Sequence, residues 1–183
     1  MQSAPIIIIS GPPGAGKSTI AQRLAEQSAH ERSIHMHSDD FYKYIRKGYV
    51  SPWLPDAQYQ NKVIIEAFTA SAARFASGGY ETFVDGVIGP WFLSSWHQAV
   101  RGGVDVHYVV LRPDVETTIA RAIVREEAEA LVNPEVVAGM WRDFADVGEY
   151  ESHVLDTTNQ SVDESAAAII KLVTSDVIRL FPK

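Results

Sequence analysis

The chain of 183 residues contains no cysteine, which excludes disulfides and thiolate-bound metal centres. Positive charge is in short supply. Sixteen Lys and Arg stand against 23 Asp and Glu, a formal net charge of -7, the reverse of the basic footprint expected of a general nucleic-acid binder. Long apolar runs are missing near the start, where Ile6 to Ile9 is only four residues. That is too short for a signal-peptide core or a membrane span. A cytoplasmic protein with no membrane partner is therefore expected. Hydrophobic residues make up 46% and charged residues 21%, an ordinary globular balance with enough apolar side chain for a sizeable core.

What is present is an alternation of strand and helix signals. Ile6 to Ile9 is apolar on both faces, as in a central strand covered by helices. Ser18 to Ala29 is amphipathic, with Ile20, Ala21, Leu24 and Ala25 on one face. Short strands are expected at Ser33–His37, Glu81–Val87, Val104–Leu111 and His153–Leu155. A long helix is expected over Ala57–Ala76, with Tyr59, Val63, Ala67, Phe68 and Phe75 near its inward stripe and Gly78-Gly79 ending it. Further helices follow at Phe92–Val100, after Pro113 and after Asn133-Pro134. Ser161 and Glu164 form a capping-box pattern before the last helix, which places Ala166, Ile169, Ile170, Val173 and Val177 on one side. Strands alternating with helices predict an α/β fold with a parallel sheet, and no repeat or linker divides residues 1–183.

Gly11-Pro12-Pro13-Gly14-Ala15-Gly16-Lys17-Ser18, followed by Thr19, fits G-x-x-x-x-G-K-[ST] between the first strand and first helix. Glycines allow positive φ and let backbone N–H groups approach phosphate. The helix start adds its dipole. Lys17 is expected to reach the β- and γ-phosphates of ATP, and Ser18 to offer its hydroxyl to Mg2+. No Asn-Lys-x-Asp run and no Leu-Ser-Gly-Gly-Gln run occurs, against a GTPase and a transporter ATPase.

In these motifs and in its layout the chain resembles the small P-loop kinases of the shikimate and gluconate kinase and chloramphenicol phosphotransferase type, and is similar to the kinase domain of phage polynucleotide kinase. The resemblance implies a P-loop NTPase three-layer sandwich, with a five-stranded parallel sheet in order 2-3-1-4-5 and a small helical lid at about residues 122–142. It also implies an acid after the second strand that contacts the acceptor hydroxyl. In "HSDDFY", His37 to Tyr42, that acid aligns with Asp39. Asp40 is the alternative, or a helix cap. Asp85 resembles the acid that holds magnesium through water, with the acceptor or a turn before Gly86 as its other uses. Arg121 matches an adenine-side arginine and Arg125 the first lid arginine, although the lid carries Glu126, Glu127 and Glu129 where relatives have more arginines. Arg142 is a weaker candidate. Thr157 to Ser161 matches a loop beside the base.

His35 and His37 alternate and so share a strand face. They read as ordinary strand residues more readily than as a metal pair. Trp91 and Phe92 could wall a substrate or pack in the core. The mixed aromatic and basic run "YKYIRKGYVSPWLPD" is expected to cover the acceptor pocket. The reading reached from the sequence is an ATP-dependent kinase with Mg2+, acting on a hydroxyl of a small molecule and not on nucleic acid. A 5′-hydroxyl polynucleotide kinase and a regulatory ATPase without an acceptor are the alternatives.

Overall fold

In a computed structural model the protein is described over residues 3–124 and 131–181. Five strands, β1 (Ile6–Ser10), β2 (Ser33–His37), β3 (Glu81–Gly86), β4 (Val106–Leu111) and β5 (Val154–Leu155), form one parallel sheet in the order β2-β3-β1-β4-β5. The helices are α1 (Lys17–Glu26), the single turn α2 (Asp39–Tyr42), α3 (Gln58–Ser77), α4 (Leu93–Arg101), α5 (Val115–Ile123), α6 (Pro134–Asp143) and α7 (Val162–Thr174). The fold is the one expected from the sequence. No helix among the described residues is long and apolar enough to cross a membrane.

The four isoleucines of β1 explain the layering. Successive side chains of a strand point to opposite faces. Ile6 and Ile8 enter a core with Phe68, Trp96, Tyr108 and Phe144. Ile7 and Ile9 enter a second core with Ile20, Leu24, Phe83 and Ile169. Both faces of the central strand are thus covered, as parallel sheets require, and β1 ends where the glycine-rich loop begins.

Several local expectations shift. The inward face of α3 is Ile64, Ile65, Phe68, Thr69, Ala72 and Ala76, whereas Tyr59, Val63 and Phe75 are exposed. Val63, Ile64, Ile65, Ala67 and Phe68 lie around more than one face, and the small Ala72 and Ala76 let the helix press on the sheet in the phase of Ile64, Ile65 and Phe68. On α7 the inward residues are Ser165, Ala166 and Ile169; Ile170 is exposed, as is Val177, which lies beyond the helix end. The capping box forms, with Ser161 and Glu164 exchanging side-chain to backbone hydrogen bonds of 2.8 and 3.2 Å. Asp114 caps α5 by accepting from the Thr117 N–H, so the helix starts at Val115, two residues past the Pro113 expected to open it. β4 begins at Val106 rather than Val104, and β5 is only two residues long, because His153 closes a 3-10 turn. The first half of β4 is taken instead by the end of the chain. The Tyr108 N–H donates to the Ile178 carbonyl and the Leu180 N–H to the Val106 carbonyl, each at 2.8 Å, with His107 and Arg179 as the antiparallel bridge.

His107 and His153 are both buried. Burial lowers the pKa of each, outweighing Asp105 beside His107 and the Tyr108 carbonyl that faces His153 Nδ1. The unfolded chain therefore binds more protons than the native one between these lowered values and about 6.5, so stability rises with pH in that window. Denaturant unfolding is expected to show falling stability from about pH 7 to about pH 5. His153→Asn, which keeps a donor for the Tyr108 carbonyl, should flatten that slope.

Candidate active site

The glycine-rich loop leaves β1 and feeds α1. At Gly14 φ is 89°, and a Cβ there would stand 2.2 Å from the Thr118 carbonyl oxygen, so a side chain is excluded by both conformation and space. Lys17 is only 6% exposed. Its Nζ donates to the Pro12 carbonyl at 2.9 Å, which closes the loop on itself. Gly16, the residue before α1, brings no side chain to cap the first turn, so backbone N–H groups of that turn face the loop with the dipole behind them.

The pairing of β2 with β3 sets His37 opposite Asp85. The Ser38 N–H donates to the Asp85 carbonyl at 2.9 Å, holding the two strand exits together. Asp85 is fully buried, at 0%. Its carboxylate accepts from the Ser18 hydroxyl at 2.7 Å, and His35 Nε2 and His37 Nδ1 lie 2.6 and 2.9 Å from its two oxygens. The other ring nitrogen of His37 is 3.4 Å from Asp39. The residues expected to serve the metal, Ser18 and Asp85, and the expected acceptor acid, Asp39, therefore meet through one imidazole. Burial opposes ionisation of Asp85, but the hydrogen bonds from His35 and then His37 hold its carboxyl well below the usual range. Burial likewise works against a charged His37, yet Asp39 and Asp85 raise its pKa to about 10. For Asp39, exposed on its outer side, the partial loss of hydration at the sheet edge is outweighed by His37 and then by the Lys17 charge, so its pKa is lowered.

Asp39 is the first residue of α2 and its side chain is 61% exposed. Asp40 turns away to pair with Lys43 at 2.8 Å. His35 and His37, read from the sequence as strand residues, are the site members that sequence reasoning passed over. The available signal was their alternation on a strand ending beside an acid. Without the β2–β3 register it did not indicate what they face.

On the other side of the loop, Arg121 donates to the Thr157 and Thr158 carbonyls at 3.3 and 3.2 Å. The two features expected near the base are thereby joined. They border a cavity of about 360 Å3 with Gly14, Gly16, Thr19 and Gln160. Arg112, at the end of β4, is spent on structure: it holds the Phe144 and Ala145 carbonyls and forms a two-pronged pair with Glu151. Arg142 is exposed near the end of α6. Arg125 and the three lid glutamates lie outside the described residues. A second cavity, of about 350 Å3, opens between the start of α3 and the turn after β3.

The family AAA_18, described as an AAA domain, matches residues 7–142. No curated protein matches the sequence. Among solved structures, the tunicamycin resistance protein of Deinococcus radiodurans superposes with a TM-score of 0.65 at 20% identity, covering 93% of this chain and 95% of its own. The APS kinase CysC of Mycobacterium tuberculosis in complex with AMPPNP and APS gives 0.66 at 14% identity, covering 95% and 99%. A shikimate kinase from Acinetobacter baumannii in complex with shikimate gives 0.59 at 20% identity, covering 96% of each chain. The similarity to small P-loop kinases thus extends over almost the entire fold.

Gly14→Ala should destabilise the protein by about 1–3 kcal/mol and remove nucleotide binding. Thermal unfolding and calorimetric titration with ATP check the two effects separately.

Proposed function

The chain belongs to the AAA domain family, and we propose that it is an ATP-dependent kinase that passes the γ-phosphate to a hydroxyl of a small molecule. The observation that carries this reading is the placement of Asp39. It stands at the carboxyl edge of the sheet, where ligands of open α/β sheets bind, and is joined through His37 to the acid that also holds Ser18. A carboxylate at that place can orient an acceptor hydroxyl and take its proton as it attacks the γ-phosphorus.

The residues present fit ATP and Mg2+. Gly11, Gly14 and Gly16 take the positive φ that lets the loop turn backbone N–H groups toward a phosphate, and Ser18 and Asp85 offer the hard oxygen donors that magnesium prefers. Magnesium, when bound, neutralises charge on the phosphates. Asp85 already accepts three hydrogen bonds, close to the capacity of a carboxylate, so it would hold the ion through water while Ser18 meets it directly. Lys17 counters phosphate charge from the floor of the loop. Arg121, with the Thr157–Ser161 loop, supports the base, and Arg125 is assigned to the lid side of the transferred group. Asp39 stays anionic, receives the hydrogen bond of the acceptor hydroxyl and takes its proton. A low pKa is tolerable for this role because bond making to the phosphoryl group is slight in a loose transition state and orientation dominates. His37 keeps the carboxylate turned toward the acceptor. The net charge of -7 favours a small-molecule acceptor over a polynucleotide end, and a cytoplasmic location suits both ATP supply and the lack of cysteine.

Lys17→Ala should abolish ATP turnover in a protein whose circular dichroism is unchanged. Asp39→Asn should slow acceptor phosphorylation roughly 10²–10⁴-fold with nearly unaltered ATP affinity, whereas Asp40→Asn should behave as the parent. Steady-state kinetics over a panel of alcohols provides the readout. Slow hydrolysis that no acceptor raises and Asp39→Asn does not alter would overturn the kinase reading in favour of a regulatory ATPase.

A further inference from the structure

The cavity between α3 and the turn after β3 has about 350 Å3 and is walled by Tyr59, Lys62, Ile65, Trp91 and Phe92, with Ser94 and Ser95 at one side. That size suits a drug-sized ligand. Its two most prominent walls are large rings left in the open, Trp91 at 50% exposure and Tyr59 at 80%. Trp91 is not loose. Its indole lies so close over Gly89 that a Cβ there would meet ring atoms at 2.2 to 2.5 Å. The ring also rests on the buried Phe144, with centroids 5.4 Å apart, and beside Phe92 at 6.3 Å. A fold that holds a tryptophan rigidly and still leaves half of it uncovered has built a platform, since burying the ring would have been the stabilising choice.

Among the described residues no acid lines the cavity, but its walls are tied to the elements that carry Asp39 and Asp85. Trp91 follows β3, which carries Asp85, by five residues from Gly86. Tyr42, one turn after Asp39, donates its hydroxyl to Asn61 at 2.9 Å, and Asn61 donates to the Pro52 carbonyl at 2.7 Å. Gln60 holds both backbone groups of Val50. The turn that bears Asp39, the aromatic strap and the start of α3 are in this way stitched into one wall. Charge is sparse there. Lys62 is the one cation among the lining residues, and its contact with Glu66 is a long 3.9 Å. A phosphorylated or polyanionic acceptor calls for several cations.

We propose that this cavity is the acceptor pocket and that the acceptor is an alcohol bearing an aromatic or flat apolar ring and no phosphate, its ring stacked on Trp91 and flanked by Tyr59. The assignment rests on the kinase reading for the word acceptor, but the ring site itself is testable without turnover.

The probe is 2-phenyl-1,3-propanediol, followed by titration calorimetry and saturation-transfer NMR in the presence of magnesium and AMPPNP, with gluconate and glycerol 3-phosphate as comparison ligands. The diol should bind and the two anions should not. Trp91→Ala should weaken the diol by about tenfold or more, and Trp91→Phe by no more than about threefold, because a ring remains. Tyr59→Ala alters an exposed side chain, so it tests the same wall where Trp91→Ala fails to fold, and it too should weaken the diol. None of the three should change AMPPNP affinity. Preferential binding of either anion, diol binding that is indifferent to Trp91 and Tyr59, or no diol binding by protein that binds AMPPNP would each overturn the ring site and leave the kinase reading standing. Binding as expected, with no phosphate passing to any ring alcohol from ATP, would sustain the ring site and overturn the kinase reading.

Discussion

A single buried carboxylate organises the carboxyl edge of the sheet. Asp85 has no exposure to solvent, and an ionised acid in that position is tolerated only when its oxygens are satisfied. Ser18 from α1 and His35 and His37 from β2 satisfy them. The three donors come from two other elements, so the same contacts that keep the charge stable fix the phosphate loop, the second strand and the third relative to one another. Removing a partner from such a cluster typically costs about 3–5 kcal/mol, which makes the cluster part of the fold as well as of the site. His37 carries the constraint outward to Asp39, the one exposed member.

The rest of the fold gives that edge its rigidity. β1 is covered on both faces by its isoleucines and the two cores they enter. Close-packed interiors of this kind transmit little slack, and Lys17, Ser18 and Asp39 sit in first helical turns while His37 and Asp85 stand at or next to the ends of their strands. Side chains that leave the scaffold are in turn tied back to it: Lys17 to Pro12, Arg121 to the Thr157 and Thr158 carbonyls, Tyr42 to Asn61. The sides proposed for the base and for the acceptor lie on opposite flanks of the glycine-rich loop, the arrangement a transfer between two bound molecules demands.

Local patterns were legible in the sequence, and features set by tertiary register were not. The phosphate loop, the Asn133 and Ser161 caps and the order of strands and helices depend on residues near one another in the chain, or on a resemblance carried by such residues. The inward face of α3 depended on which of two apolar phases the sheet accepts, and Tyr59 was placed on the wrong one. The shortness of β5 depended on competition from residues 178–180 for the same edge of β4. The roles of His35 and His37 required knowing that β2 lies beside β3. Asp39, aligned with the acceptor acid, and Asp40, its alternative, differ in the partners that folding supplies, His37 for one and Lys43 for the other.

The pairing of Ile178 and Leu180 with β4 has a consequence for how the chain is made. β4 is flanked on one side by the central strand and on the other partly by β5 and partly by this late segment. Until residues 178–180 leave the ribosome, the start of β4 presents unpaired N–H and carbonyl groups, a template for pairing with a neighbouring chain. β2, by contrast, finds its partner as soon as β3 has been synthesised. Residues 178–180 therefore work as a seal on the start of β4, added after all five strands of the sheet have been synthesised.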